Sequence, residues 1–358
     1  MYQASMRRGL TAAALAAFAV LSACATPEPE PTPAPPPPPP PPPAVSLNQD
    51  VAQAASIYVA FMREAGSIQA GFPTAEAIQA ALRKGAAYEP AQLSRGLIAY
   101  GSILALQSPE FVTGVRSFAA DPEQRRTVIN RIIADPAYAA TLPGAEAAAG
   151  LIATTIGADS AAMRVIADAV EGDAYTIQER NDPRRRWATV HITNRDSRLE
   201  GVKTLSAARM LPSADESARL FAAANSGSGL NASGGRLPPP FTPAMVNSLA
   251  IAALAALGAG GDDYRANTEA LTVESNSEFC LNMSKLMLFQ CLAASRPSYE
   301  DMFCVGRHVA RDLSQCTAQA LAPTPVPTDS PQVSLAATSP IAADAAVASQ
   351  NAVQSGPN

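Results

Sequence analysis

The chain of 358 residues has little of what most enzymes use for catalysis. It has two histidines, His191 and His308, far apart in sequence, and each lies in a predicted helix. No G-x-S-x-G, H-E-x-x-H or Gly-rich nucleotide motif occurs. Its five cysteines are too widely spaced for a zinc site, which favours cysteines two to four residues apart. We therefore expect no catalytic residue, no metal site and no cofactor.

Clustered positive charge is also lacking. The net charge is −5, and the only dense basic run is Arg184–Arg186, which we interpret as a solvated helix start. A face that binds phosphates needs clustered Lys and Arg side chains. These observations argue against a nucleic-acid partner.

The alternation of apolar and polar residues that marks strands is nearly absent. Residues 187–193, WATVHIT, are the sole candidate. We predict helix there because residues continue beyond it at helical intervals: Trp187, His191, Arg198, Val202 and Leu205. Aromatic residues make up 5% of the chain and alanine is abundant, which favours helices that approach one another closely. The sequence predicts an all-α protein.

Helix starts are marked by a capping side chain followed by proline, whose missing amide hydrogen costs nothing at the first helical position. Between the proline spacer and the tail, this pair occurs at Ser108-Pro109, Asp121-Pro122, Asp135-Pro136, Asp182-Pro183 and Thr242-Pro243. Ser213 with Glu216 forms a capping-box pattern. Two apolar stripes at helical spacing indicate buried faces: Val51, Ala55, Tyr58, Met62, Ala65, and Met163, Ile166, Val170, Ala174, Ile177.

The chain opens with the basic residues Arg7 and Arg8, followed by the apolar run 10–21 and then by small residues. This order is typical of an export signal, and the run is too short to span a bilayer. The following LSAC, Leu21–Cys24, resembles the lipobox of bacterial lipoproteins. That resemblance implies that Cys24 is lipidated and anchors the protein to a membrane. Ala25 follows, whereas Asp there retains such lipoproteins at the inner membrane, so the resemblance favours the outer membrane, facing the periplasm.

Composition divides the chain into segments. Residues 27–43 are mostly proline, which predicts a stiff polyproline II spacer. Residues 225–241 are rich in Gly, Ser and Pro and form a linker or a loop, and their length favours a domain boundary. The predicted segments are 1–23 signal peptide, 24–47 lipidated cysteine and spacer, 48–224 helical domain, 225–241 linker or loop, 242–321 C-terminal helical domain and 322–358 disordered tail.

Four cysteines near the C-terminus predict two disulfides in a helical hairpin. Cys280 and Cys291 are eleven residues apart, which is about three helical turns, and Cys304 and Cys316 are twelve apart. Residues 296–298, RPS, break the helix, and Ser298 with Asp301 forms a restart pattern. In an antiparallel hairpin the residues nearest the turn face each other. This geometry selects Cys291–Cys304 and Cys280–Cys316.

The arrangement resembles in geometry the twin-cysteine helical hairpins of mitochondrial intermembrane-space proteins, although the spacings here differ from the nine residues usual there. We expect the hairpin to dock on the helix near 249–257. The apolar residues that should divide between its seam and its docking face are Leu281, Leu288, Phe289, Phe303, Val309 and Leu313.

Glu274-Ser275 resembles the Glu-Ser start of lytic transglycosylases, but the Gly-Leu-Met-Gln run of that family is missing. A non-catalytic envelope lipoprotein is therefore the preferred hypothesis, an adaptor or scaffold that binds another envelope protein. Two alternatives stay open: a peptidoglycan-associated factor or hydrolase, and a pilotin-like secretion helper.

Overall fold

The computed structural model describes residues 41–180 and 182–321. The predictions for the signal peptide, Cys24, most of the proline spacer and the tail lie outside these residues. Within them the chain is all-α, as predicted, and carries no strand, only two isolated bridges. The α-helices are α1 Gln49–Ala65, α2 Ala75–Ala86, α3 Pro90–Ala105, α4 Pro109–Arg116, α5 Pro122–Ala134, α6 Ala145–Glu179, α7 Arg195–Ala207, α8 Ala214–Ser226, α9 Pro243–Ala256, α10 Arg265–Leu271, α11 Ser275–Ala294, α12 Ser298–Val305 and α13 Asp312–Leu321.

The predicted helix starts are confirmed. The side chains of Ser108, Asp121 and Thr242 each accept a hydrogen bond from a backbone amide in the first turn of α4, α5 and α9. Asp135 and Asp182 do the same for two 3-10 helices, Pro136–Thr141 and Pro183–Thr189. The capping atoms satisfy amides that the helix itself leaves without partners.

The core lies where α1, α3 and α9 pack together. Every residue of the predicted stripe on α1 is buried, and on α6 only Ile166 of its stripe is half-buried. Most residues of α9 are buried, because this helix is apolar on all sides and is enclosed by its neighbours. It is the buried core helix that its sequence predicts.

Residues 225 and 226 end α8, and the rest of 225–241 is a loop within one compact unit and not the domain boundary that the length of the segment favours. The helices on either side share a core, since α8 packs on α1, α9 packs on α3, and α1 and α3 pack on each other. The loop lies along the start of α6, where the Leu237 amide donates to the Glu146 carbonyl at 3.0 Å. A Cβ on Gly150 would stand 1.6 Å from the Gly235 oxygen, so only glycine allows this close approach.

The folded unit also begins earlier than predicted. Residues 43–47 were expected in the spacer, but Leu47 is buried and the Ser46 amide donates to the Ala255 carbonyl at 3.0 Å. The Asn48 amide donates to the Gly260 carbonyl at 2.9 Å. These backbone bonds hold the segment against the end of α9.

The helix predicted across residues 187–193 forms only at 187–189, and the prediction is wrong for residues 190–193. The 3-10 helix ends at Thr189 and the chain then runs extended, with the Ile192 amide donating to the Arg296 carbonyl at 2.8 Å. His191 therefore lies on an exposed extended segment and not on a helix. The hydrogen bond to a distant part of the chain therefore decides the conformation here, against the helix that the local residue spacing predicts.

The C-terminal hairpin consists of α11 and a continuous second arm formed by α12, the π-helical segment Gly306–Arg311 and α13. The second arm packs chiefly on α6, whereas docking near residues 249–257 was expected. Gly306 permits this crossing, because a Cβ there would lie 2.7 Å from Cγ of Glu171. Of the six apolar residues predicted for the seam and docking face, Phe289 and Phe303 are half-buried and the others are buried.

Candidate binding site on the disulfide-linked hairpin

Two disulfides join the arms of the hairpin with the predicted pairing. The tip disulfide joins Cys291 to Cys304, with a Cα–Cα distance of 5.8 Å. The base disulfide joins Cys280 to Cys316, with a Cα–Cα distance of 5.6 Å. Both distances fall in the range that unstrained disulfides occupy. The tip disulfide joins α11 to α12 and the base disulfide joins α11 to α13, so the two arms of the hairpin are held side by side at both ends of their contact.

A buried ion pair holds the tip of the hairpin to α7. The side chains of Arg198 and Asp301 are 2% and 0% exposed, and the Arg198 guanidinium donates to both carboxylate oxygens at 2.6 Å. Ser295 and Gln79 donate to the same carboxylate at 2.6 and 2.8 Å. Burial raises the pKa of Asp301, and these donors oppose that effect.

This role of Asp301 corrects the predicted helix restart. The helix restarts where expected, but Pro297 occupies the N-cap position and no side chain caps it. Ser298 is the first helical residue instead of the cap. The carboxylate of Asp301 is used by the tertiary ion pair.

A buried lysine anchors the inner face of α11. Lys285 is 5% exposed, its ammonium donates to the Ala86 carbonyl, and it lies 3.7 Å from the centre of the Tyr88 ring. Burial lowers the pKa of Lys285 to about 7, and the Glu89 carboxylate acts in the opposite direction. The contacts of Lys285 tie the hairpin to the junction of α2 and α3.

The outer face of α11 is apolar and open to solvent. Phe279, Met283 and Leu286 are 66%, 36% and 44% exposed, and their spacing of four and three residues places them on one helical face. We call these three residues the α11 stripe. Isolated exposed apolar residues are ordinary, whereas large apolar residues grouped on one face form the kind of patch that interaction surfaces contain.

A groove between α11 and α13 runs beside the α11 stripe. Its larger part has a volume of about 400 Å³, and an adjoining part of about 290 Å³ continues toward the start of α9. The base disulfide contributes to the lining of both parts, so the crosslink fixes the spacing of the groove walls. We call this the hairpin groove.

The charges that line the hairpin groove are negative. Asp312 lines the larger part and Glu274 the smaller, and no Lys or Arg lines either. Glu274 is also the N-cap of α11, where its carboxylate accepts from the amides of Asn276 and Ser277 at 2.8 Å each. Both oxygens of the residue that resembles a transglycosylase acid are thus engaged in capping.

Serine, histidine and aspartate meet beside the hairpin groove without forming a catalytic relay. His308 Nδ1 lies 3.2 Å from Oδ2 of Asp312. Ser284 donates to the backbone carbonyl of His308 at 3.2 Å and not to its imidazole. A relay needs the serine hydroxyl bonded to the imidazole that would take its proton. The arrangement stabilises the contact between the two arms.

The remaining residues singled out from the sequence lie apart from the groove. Arg184 and Arg186 are exposed in the 3-10 helix Pro183–Thr189, as the solvated start predicts, and Arg185 pairs with Asp173. No group of three His, Cys, Asp or Glu side chains that could hold a metal ion occurs within 41–180 and 182–321.

The sequence analysis missed the α11 stripe. The apolar residues of α11 lie on all sides of the helix: Leu281 and Leu288 are on its buried side, and Phe279 and Leu286 are on its exposed side. A helix that is apolar on all sides is usually buried, so the sequence pattern does not predict an exposed apolar face on α11. The exposed stripe could have been predicted from the hairpin itself, because only one face of a hairpin arm can contact the core.

No protein-family model, no curated protein and no solved structure matches the chain. In the described part of the chain, no helix is both long and apolar enough to cross a membrane.

Proposed function

We propose that this protein is a lipid-anchored, non-catalytic adaptor of the bacterial cell envelope, attached through Cys24, whose hairpin groove binds a helix of another envelope protein. The single observation that carries the proposal is the exposed α11 stripe beside the groove. The lipobox-like sequence supports the anchor and the location, with the outer membrane favoured.

The shape of the site favours a helical partner. An amphipathic helix binds by inserting side chains spaced three and four residues apart into an apolar groove. The ends of the α11 stripe are seven residues apart, or about 10 Å along α11, which matches two turns of a partner helix. Met283 and the neighbouring Met287 add unbranched side chains that adapt to irregular surfaces.

The charge of the site favours a protein over a lipid surface. Surfaces that lie on anionic membranes are rich in Lys and Arg, whereas Asp312 and Glu274 make this groove acidic. The partner helix should therefore carry basic residues beside its apolar face. Burying three large apolar side chains would contribute on the order of 1 kcal/mol or more each.

Site-specific photo-crosslinking in cells tests the groove. A photoreactive residue at Met283 should crosslink to an amphipathic helical segment with basic flanks, and the mapped peptide identifies it. Phe279→Ser and Asp312→Asn should each weaken that crosslink. Val165, which is 68% exposed on α6, supplies the control position and should not capture the same segment.

Crosslinks from Met283 to lipid, to a second copy of the chain or to nothing would refute the adaptor proposal. A captured component of a secretion system would instead favour the pilotin-like alternative. Retention of the purified protein on isolated peptidoglycan, lost on Phe279→Ser, would favour the peptidoglycan alternative.

The anchor has its own test. Cys24→Ala should release the protein from the membrane fraction, because the lipid is attached through that sulfur. Its far-UV circular dichroism should match the wild type, since Cys24 precedes the folded unit. Full retention of Cys24→Ala in the membrane after a carbonate wash would contradict the lipid anchor.

A further inference from the structure

A pocket lined by three aromatic rings lies between α6 and α12, and it shares no lining residue with the hairpin groove. Its volume is about 200 Å³, and its aromatic residues are Tyr175 on α6 with Tyr299 and Phe303 on α12. Ala174, which is 2% exposed, contributes only a methyl group to the inner wall and so leaves room beside the rings. We call it the aromatic pocket.

The rings form a corner and not a flat platform. The centroids of the Tyr175 and Phe303 rings are 5.7 Å apart, and the ring planes are inclined at 67°. Tyr299 lies four residues before Phe303 and hence on the same face of α12. A flat ligand stacks on one ring face, whereas a corner contacts a compact, rounded group from two sides. The pocket is also smaller than the roughly 300–1,000 Å³ of sites for drug-sized ligands, so it fits a small headgroup.

The charge of the aromatic pocket is negative. Glu300 is its only charged lining residue, and no Lys or Arg lines it. The Glu300 carboxylate accepts from the Arg296 backbone amide at 2.6 Å, and among the described residues it forms no ion pair. The face of an aromatic ring carries the negative part of its quadrupole. The rings and the carboxylate therefore both attract a cation.

Two contacts of α12 fix the aromatic pocket before any ligand binds. Cys304, next to Phe303, forms the tip disulfide, and Asp301, next to Glu300, forms the buried ion pair with Arg198. A site that is already ordered does not spend binding free energy on ordering its side chains. The α12 wall of the pocket is of this kind.

We propose that the aromatic pocket binds a quaternary ammonium group, either of a soluble compound such as choline or of a phosphocholine lipid headgroup. The methyl groups of the cation contact the faces of Tyr175 and Phe303, and Glu300 balances its charge. Aromatic rings that surround a cation are the usual means of recognising quaternary ammonium ligands. A primary ammonium such as that of lysine is strongly hydrated, so it gives up more on entering an aromatic site.

Ligand-detected NMR on the full-length Cys24→Ala protein, which has no sulfur for the lipid, tests the pocket. The probe is choline, and the matched control is 3,3-dimethylbutan-1-ol, which has the same shape with carbon in place of the charged nitrogen. We expect saturable binding of choline. The neutral alcohol should bind at least about ten-fold more weakly, because the attraction of the rings and the carboxylate for the charge is lost. Equal binding of the two compounds, or binding of neither, would overturn the proposal.

Substitutions assign the binding to the aromatic pocket. Tyr175→Leu should weaken choline binding by about two- to five-fold, whereas Tyr175→Phe keeps the ring and should not. Glu300→Gln should weaken choline binding by a similar factor and leave binding of the neutral alcohol unchanged. Tyr264→Leu is the control, because Tyr264 is 43% exposed against 49% for Tyr175 and lies outside the pocket. Choline affinity that survives both Tyr175→Leu and Glu300→Gln would refute the site.

Vesicles distinguish the two sources of the cation. Cosedimentation of the Cys24→Ala protein with phosphatidylcholine vesicles, lost with excess choline and in Tyr175→Leu, would assign the site to a lipid headgroup. Binding of free choline without cosedimentation would assign it to a soluble compound. Equal cosedimentation with phosphatidylglycerol vesicles, which carry no ammonium group, would overturn headgroup recognition.

Discussion

Lys285 makes the stability of the protein depend on pH in a window that can be calculated. Its pKa is about 7 in the folded protein against 10.5 for an unperturbed lysine. Between these values the unfolded chain holds a proton that the folded chain lacks, so the free energy of unfolding rises with pH. The ionisation of Lys285 lowers the free energy of unfolding most below pH 7, and this effect vanishes above pH 10.5. At about 1.4 kcal/mol for each tenfold difference in proton affinity, the full effect is about 5 kcal/mol.

Lys285→Met removes this dependence and keeps an unbranched side chain that is one heavy atom shorter. The Ala86 carbonyl keeps a partner in the variant, since the Ser206 hydroxyl donates to it at 3.0 Å. We expect Lys285→Met to be more stable than the wild type at pH 6. Between pH 7 and 9 this advantage should shrink by about 1.4 kcal/mol per pH unit, or about 3 kcal/mol in total.

The assay is urea unfolding followed by circular dichroism at 222 nm, from pH 6 to 9. Lys203→Met is the matched control, because the ammonium of Lys203 reaches water and pairs with Glu200 at the surface. The difference between Lys203→Met and the wild type should stay constant across the range. Parallel pH profiles for Lys285→Met and the wild type would refute the assignment of the pH dependence to this buried amine.

Three further results are expected. In thermal melts, Gly150→Ala should destabilise the protein by about 1–3 kcal/mol, because the new Cβ displaces the loop that contacts Gly150. Gly157→Ala is the control: its Cβ would meet no atom within 4 Å, so it should stabilise α6 by up to about 1 kcal/mol. Arg198→Met should cost about 3–5 kcal/mol in urea unfolding because it strands the Asp301 carboxylate, and adding Asp301→Asn should recover part of the loss. Reduction should open the 36-residue loop closed by the base disulfide and the 13-residue loop closed by the tip disulfide, which contribute about 4 and 3 kcal/mol to stability in the chain-entropy model. Amide hydrogen exchange should therefore accelerate in α11 and α13 before it does in α1 and α3, and uniform acceleration would contradict this.

The sequence alone determined those features that depend on neighbours within a few turns of chain. Capping side chains such as Ser108 and Thr242 act on amides two or three residues away, so the helix starts are readable locally. The disulfide pairing follows from the same kind of reasoning. Once residues 296–298 reverse the direction of the chain, the helical rise brings Cys291 to Cys304 and Cys280 to Cys316.

Only the tertiary structure decided what competes with these local preferences. His191 lies on an extended segment because a distant carbonyl takes the Ile192 amide, and Asp301 forms an ion pair because α7 places Arg198 beside it. The α11 stripe is the clearest case. Phe279 and Leu281 are equally apolar in sequence, and only the docking of the hairpin decides which faces the core and which stays available for a partner.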